Sequence, residues 1–108
     1  MVRMAAAEDL SALVRLRSAR YGDTPADAAG WLQNVAGLAH IFVLEKTQGQ
    51  PEAMLAAVPV EYAHRKGIWF CGAAAAEGVD SRSFLPRLLS GCLRAFGAKE
   101  YDFAVLAP

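Results

Sequence analysis

The sequence lacks several features that would point directly to a function. Its eleven Lys and Arg residues balance eleven Asp and Glu residues, so no strongly basic surface is expected for a nucleic acid. No apolar run reaches the roughly 18 residues that a membrane span needs, and residues 1–7 do not contain the long apolar core of a signal peptide. We therefore expect a cytoplasmic protein that binds neither a nucleic acid nor a membrane.

Cysteine and histidine are also scarce, with two residues of each. Cys71 falls in an apolar stretch and Cys92 on the apolar face of a predicted helix, so we expect both to be small buried hydrophobic residues. Two isolated cysteines give no disulfide framework, and His40 and His64 form no metal-ligand spacing with them. The sequence predicts neither a disulfide scaffold nor a metal site.

Apolar residues, in contrast, make up 55% of the chain, and 20% of the residues are charged. This composition excludes a disordered chain and predicts a well-filled interior. A chain of 108 residues is long enough for one hydrophobic core and too short for two. We expect one domain over residues 1–108.

The first third of the chain predicts a strand and two helices. Residues 2–4 are predicted as a strand, and residues 8–20 as a helix with one leucine-rich face. Thr24 and Pro25 are typical of the start of a second helix. In that helix Trp31 is expected to pack in the core or, alternatively, to line a substrate pocket.

The middle of the chain predicts three consecutive antiparallel strands, at residues 39–46, 52–63 and 68–76. Pro59 cannot donate to a strand ladder, so we expect a bulge or an unpaired edge at that point. Gly72 interrupts the third of these strands, and a glycine there indicates a bulge or the close approach of another group.

Residues 67–108 are predicted as a βαβ unit around which the rest of the chain is organised. A polar loop at residues 77–82 leads into an amphipathic helix at residues 83–96, and a final strand follows at residues 100–107. We expect both faces of that strand to be at least partly covered.

The start of the helix in this unit is predicted from its proline. With Ser83 as the capping residue, Pro86 falls in the first turn and removes no hydrogen bond. With Asp80 as the cap, Pro86 would fall in the helix interior, so we predict Ser83.

Residues 73–76 are four consecutive alanines at the end of the strand before the loop. Their small side chains leave the backbone accessible to a ligand, and the free N–H groups at the following helix terminus are suited to phosphate. Alternatively, the alanines lie under a tightly packed helix. The sequence leaves both interpretations open.

The order of strand, two helices, three strands, helix and strand resembles the GCN5-related N-acetyltransferase family. Residues 2–13 resemble its opening strand and first helix, in which an Arg precedes an acidic pair and a Leu-rich helix. Residues 88–105 resemble its central helix and fifth strand. The resemblance implies an α+β (α/β) fold with a mixed, mainly antiparallel five-stranded sheet.

The resemblance also implies acetyl-CoA as a ligand. In the family its pyrophosphate lies on a loop of pattern Gln/Arg-x-x-Gly-x-Gly/Ala, which aligns with residues 80–85 of this sequence. Asp80, Ser83 and Leu85 depart from the pattern, and Gly78 and Arg82 are candidates for a substitute turn and charge. The cofactor-binding residues expected by resemblance are Ala73, Ala74, Ala75, Ala76, Gly78, Arg82, Ser83 and Phe84.

Members of the family usually continue past the fifth strand into a helix, which often carries a Tyr that protonates the departing thiolate, and into a further strand pair. Because the sequence given ends at Pro108, we expect a shortened, degenerate member without these parts. The remaining candidates for a general base are Glu61 and His64, on or just after the predicted strand at residues 52–63.

Three functions are compatible with the sequence. The first is a degenerate acetyltransferase-like domain that binds acetyl-CoA or another acyl-CoA without efficient transfer, and the second is a non-catalytic self-association or interaction module. The third is an active N-acetyltransferase completed by a partner chain. The last predicted strand is apolar and carries few charges, so we expect a homodimer formed through it or through the surface beside it.

Overall fold

A computed structural model describes residues 1–46, 49–97 and 101–106 of the chain. In these residues one sheet contains β1 (Val2–Met4), β2 (Ile41–Glu45), β3 (Pro51–Tyr62), β4 (Arg65–Ala75) and β5 (Phe103–Leu106). The helices are α1 (Leu10–Tyr21), α2 (Pro25–Gly30) and α3 (Ser81–Phe96), and a π-helical turn, Trp31–Ala36, continues α2. Within the described ranges, no helix is long and apolar enough to cross a membrane.

The strands lie side by side in the order β1-β2-β3-β4-β5. The pairs β1–β2, β2–β3 and β3–β4 are antiparallel. The pair β4–β5 is parallel, because α3 connects these strands as a crossover. This arrangement confirms the predicted element order and the mixed, mainly antiparallel sheet.

The sheet separates two apolar clusters. On one face, Met54 and other buried side chains of the sheet pack against α1 and the π-helical turn after α2. Leu13 of α1 and Leu32 of the turn belong to this cluster. On the other face, Leu88 and Cys92 of α3 pack against the sheet. Both faces of the central strands are therefore buried, which explains why β3 and β4 have apolar residues at consecutive positions rather than at alternate ones.

Gly72 forms the bulge that its position in β4 predicts. The register between β3 and β4 shifts between Met54 and Ala56, so that Gly72 and Ala73 together lie opposite Leu55. Gly72 has a φ of 66°, a conformation that favours glycine. The Trp31 side chain packs directly against it, so that a Cβ atom at this position would overlap the indole ring. Both the bulge and the close approach are confirmed.

Pro59 lies on an unpaired edge, as expected. The pairing of β3 with β2 reaches only to Ala56, whereas Pro59 is paired with Ile68 of β4 on its other side. Its missing N–H donor therefore costs no ladder hydrogen bond toward β2.

The predicted start of α3 is wrong. The capping residue is Asp80, whose side chain accepts a hydrogen bond from the Arg82 N–H at 3.0 Å, and Pro86 lies inside the helix. Pro86 is exposed, so water can bond the carbonyl group that the missing N–H leaves free. The cap at Asp80, three residues before Ser83, is formed in spite of that lost bond.

We expected both faces of the last strand to be at least partly covered, and the described residues of this strand have only limited cover. Phe103 is half-buried, but Ala104 is exposed, and Val105 and Leu106 expose 48% and 53% of their surface. Residues 100 and 107, at the ends of the predicted strand, lie outside the described residues. In the described part of the chain, β5 is an edge strand with apolar side chains in contact with solvent.

Candidate functional site

The candidate site is a cleft where β4 extends beyond β5. In the described residues, the pairing between these strands ends at Phe70 and Leu106, and β4 continues to Ala75. No described residue of β5 pairs with the last part of β4, from Cys71 to Ala75. The adjacency and the parallel direction of the two strands agree with the expected βαβ unit.

The cleft has a volume of about 430 Å³. Its walls come from the end of α1, the end of β4, the following loop, the first turns of α3 and the last described residue of β5. They are formed by Arg20, Tyr21, Ala73, Ala74, Ala75, Val79, Ser81, Phe84, Leu85 and Leu106.

The alanines of β4 have two different environments. Ala74 is buried in the cluster beneath α1, as the packing interpretation predicts. Ala73 and Ala75 are partly buried and pack at the edge of the cluster on the α3 side. All three also line the cleft, so these alanines are packed against the helices and at the same time face the cleft.

Tyr21 forms a wall of the cleft that the sequence did not reveal. Its hydroxyl donates a hydrogen bond to the Ala73 carbonyl oxygen at 2.9 Å. The Arg17 guanidinium lies 4.5 Å from the Tyr21 ring centre and 3.8 Å from that of Trp31, and Arg17 Nε donates to Asp23 at 2.8 Å. These contacts fix the end of α1 against the bulge of β4. They also show Trp31 in a packing role.

The loop between β4 and α3 is a tight turn. The Ala76 N–H bonds the Glu52 carbonyl oxygen at 2.8 Å, and the Val79 N–H bonds that of Ala76 at 3.1 Å. Gly78 has a φ of 84° and open space around it. Of the expected binding residues, Ala76 and Gly78 therefore lie beside the cleft without lining it.

The first turn of α3 already contains an anion, the Asp80 carboxylate. Besides the Arg82 N–H, it binds the Arg82 guanidinium at 3.1 and 3.2 Å. The hydrogen bonds from the Arg82 backbone and then from its side chain hold the pKa of Asp80 below its usual value. Ser83 is exposed, and the buried Phe84 faces the cleft. Arg82 and Ser83 therefore flank the cleft, whereas Phe84 lines it.

The residues present fit one part of an acyl-CoA better than another. The unpaired edge of β4 and the apolar walls suit a pantetheine arm, which needs backbone N–H and C=O partners and a narrow apolar channel. The pyrophosphate fits less well, because Asp80 places a negative charge at the helix terminus and already pairs with Arg82.

The structure does not bring Glu61 and His64 to this cleft. Glu61 is paired with Lys66 near the start of β4, and at about 3.3 Å per residue that is about 20 Å from Ala73. His64 lies in the β3–β4 turn with a φ of 64°. A general base must lie within about 3 Å of the proton that it removes, or reach it through one water, so neither residue serves a ligand at Ala73.

The cysteines offer no nucleophile either. Cys71 and Cys92 are buried free thiols, as predicted. Burial raises the pKa of Cys71 and raises that of Cys92 to about 12, so neither thiol readily ionises. In the ranges that the structure describes, no group of three or more His, Cys, Asp and Glu side chains is placed to hold a metal ion.

No family model matches the sequence, and no curated protein matches it either. Solved structures do match the fold. A predicted acetyltransferase with acetyl-CoA from Clostridium acetobutylicum has a TM-score of 0.74 and 12% identity, over all of this chain and 80% of that one. A GCN5-related N-acetyltransferase from Ralstonia eutropha JMP134 has a TM-score of 0.70 and 20% identity, over all of this chain and 82% of that one.

A third similar structure is glucosamine-6-phosphate N-acetyltransferase from Arabidopsis thaliana, with a TM-score of 0.73 and 11% identity, over all of this chain and 81% of that one. At these identities the likeness concerns the fold alone. The chain has the fold of the GCN5-related N-acetyltransferases.

Proposed function

We propose that this protein is an acetyltransferase-like domain whose cleft binds the pantetheine arm of an acyl-CoA such as acetyl-CoA. The observation that carries the proposal is the part of β4 from Cys71 to Ala75, which extends past its pairing with the described residues of β5. The fold and the similar structure with acetyl-CoA support the same assignment.

Each wall of the cleft has a part in this binding. The unpaired backbone groups of β4 would hydrogen-bond the amides of the arm, as an added strand does at a sheet edge. Phe84, Leu85 and Val79 would cover its apolar surface, and Tyr21 keeps the Ala73 carbonyl in place. An acyl-CoA supplies an activated thioester when bound.

The proposal is for binding without efficient transfer. The side chains that line the cleft include an arginine, a tyrosine and a serine, but no carboxylate and no imidazole among the described residues. An amine acceptor needs such a base for deprotonation. A partner that supplies the base would convert the same cleft into an active site.

A negative charge placed in the cleft is expected to weaken acyl-CoA binding. Ser81 and Ser90 lie on α3 and both are exposed, but only Ser81 lines the cleft. We expect acetyl-CoA to stabilise the wild-type protein and S90E in a thermal-shift titration, and S81E to bind about tenfold more weakly, because its carboxylate repels the ligand phosphates.

The serine pair separates site-specific repulsion from a general effect of charge on α3. An acidic residue in the first turn of a helix favours the helix, so S81E should still fold. No stabilisation of the wild-type protein at millimolar acetyl-CoA would contradict the proposal.

A second candidate function, self-association, is favoured by the exposed edge of β5. Val105 and Leu106 are apolar and about half-exposed on this strand, and its outer edge has no partner in the described residues. An unpaired apolar edge favours pairing with a second copy of the same strand across a two-fold axis. We propose that the protein forms a homodimer in this way.

Light scattering at about 100 µM tests the dimer. We expect the mass of a dimer for the wild-type protein and that of a monomer for V105K, because a lysine on an edge strand opposes strand pairing. V35K is the matched control, since Val35 is also an exposed valine but lies in the π-helical turn. A wild-type monomer at this concentration would remove the proposal.

A further inference from the structure

Arg20 is a cation of the cleft that pairs with no carboxylate of the described residues. It lies in the last turn of α1, is exposed and lines the cleft. Its guanidinium carbon lies 5.0 Å from the centre of the Tyr21 ring, and the Tyr21 hydroxyl is bonded to Ala73. None of the ion pairs among the described residues includes Arg20. The Tyr21 ring thus positions the Arg20 guanidinium, and no acidic side chain of the described residues pairs with it.

The two other arginines near the cleft already have partners. Arg17 pairs with Asp23 and lies between the rings of Tyr21 and Trp31. Arg82 pairs with Asp80. Of these three arginines, Arg20 is the one whose guanidinium has no acidic partner within residues 1–46, 49–97 and 101–106.

The loop before α3 is a poor site for an anion. Asp80 accepts the Arg82 N–H that an anion at the helix terminus would use, and the same carboxylate binds the Arg82 guanidinium. A phosphate at this loop would find the Arg82 N–H and the Arg82 guanidinium already bonded to Asp80, and the Asp80 carboxylate would repel it.

We infer that Arg20 of α1, and not the loop before α3, binds the anionic group of the ligand in this cleft. The inference rests on the proposed function and names the part of the ligand that Arg20 recognises. Phosphate and carboxylate oxygens both suit a guanidinium, which presents paired N–H donors. The anionic group is therefore either a phosphate of the CoA or a carboxylate on the acyl chain.

Three ligands distinguish these sources in isothermal titration calorimetry. Acetyl-CoA carries phosphates, succinyl-pantetheine carries a carboxylate on its acyl group, and acetyl-pantetheine carries neither. We expect R20A to bind at least one of the two anionic ligands about tenfold more weakly, as a charged hydrogen bond predicts, and to bind acetyl-pantetheine with unchanged affinity. A loss for acetyl-CoA identifies the phosphate, and a loss for succinyl-pantetheine identifies the carboxylate.

Matched variants separate this role from a structural one. R15A removes another exposed arginine of α1 that does not line the cleft, and it should bind all three ligands as the wild-type protein does. R20K keeps the charge but not the paired donors, so it should recover part of the lost affinity. D80N removes a repulsive charge and frees Arg82, while asparagine can still cap the helix, so D80N should not weaken the binding of the anionic ligands.

The outcomes also separate this inference from the proposed function. If the wild-type protein binds the ligands and R20A behaves like R15A, the inference is wrong and the proposed function stands. If the wild-type protein binds none of them, the proposed function fails, and titration with inorganic diphosphate then decides the inference. A shift of the Arg20 Nε–H resonance with diphosphate supports an anion site at Arg20, and the absence of any shift overturns it.

Discussion

Replacing Gly72 by alanine is expected to destabilise the protein by about 3 kcal/mol. An alanine at a φ of 66° costs about 1–2 kcal/mol, and the added methyl group overlaps the Trp31 ring, which adds about 1–3 kcal/mol of overpacking. For a chain of this length, the melting temperature should fall by more than about 10 °C. Thermal unfolding followed by circular dichroism measures the loss.

The two contributions can be separated in a double-mutant cycle with Trp31. In a W31L background the ring that the new methyl group would overlap is absent, so G72A should cost only the backbone contribution of about 1–2 kcal/mol. G78A is the control for φ alone, because Gly78 has a similar φ of 84° but open space around it. Equal losses for G72A and G78A would show that contact with Trp31 does not matter.

The bulge also connects stability to the cleft. Ala73, the second residue of the bulge, holds the Tyr21 hydroxyl through its carbonyl oxygen. A shift of the bulge would move this carbonyl and the Tyr21 wall. We therefore expect G72A to weaken ligand binding even at temperatures where the variant is fully folded.

Replacing Asp9 by asparagine is expected to cost about 2 kcal/mol. Asp9 is only 6% exposed and accepts two hydrogen bonds from the Arg3 guanidinium, at 2.7 and 2.9 Å, and one from the Ala6 N–H at 2.7 Å. Arg3 also pairs with Glu45 and donates to the Gly49 carbonyl oxygen. The loss stays below the 3–5 kcal/mol typical of a fully buried pair, since Arg3 is partly exposed and keeps Glu45.

The same contacts predict how stability depends on pH. The pKa of Asp9 is lower than its usual value, chiefly because Arg3 donates hydrogen bonds to its carboxylate. The Ala6 N–H and the charge of Arg3 lower it further, whereas burial acts in the opposite direction. A group whose pKa is lower in the folded state stabilises the fold fully above its unfolded pKa of about 3.9. That stability is lost as the pH falls below about 4 and through the folded pKa.

Urea unfolding between pH 7 and pH 3 measures both effects. D9N should be less stable than the wild-type protein at pH 7, and the difference should shrink as the pH falls. D27N serves as the control, because Asp27 is exposed near the start of α2 and should change stability little. A difference between D9N and wild type that stays constant down to pH 3 would contradict the role of the Asp9 charge.

Local stereochemistry explains most of what could be predicted about the fold. Thr24 caps α2 with Pro25 at its first position, Gly72 forms a bulge, and Pro59 lies on an unpaired edge. Each of these residues restricts the backbone or its hydrogen bonds at its own position, so the sequence is sufficient. The periodicity of the apolar residues likewise determined the strand and helix order.

The start of α3 shows where local rules become insufficient. The rule that excludes proline from a helix interior favoured Ser83 as the cap, but Asp80 begins the helix and Pro86 lies within it. The missing N–H of Pro86 costs little free energy at an exposed position. The hydrogen bonds between Asp80 and Arg82 and the burial of Phe84 offset that cost. The balance depends on which residues the fold exposes.

The sequence by itself determined the order of the elements, the buried cysteines and the bulge in β4, because these follow from backbone restrictions and apolar periodicity along the chain. Only the tertiary structure decided what surrounds the cleft. It brought Arg20 and Tyr21 from α1 to the end of β4, left Glu61 at the far end of the sheet, and buried Asp9 against Arg3. Such contacts join residues far apart in the chain, and no local pattern records them.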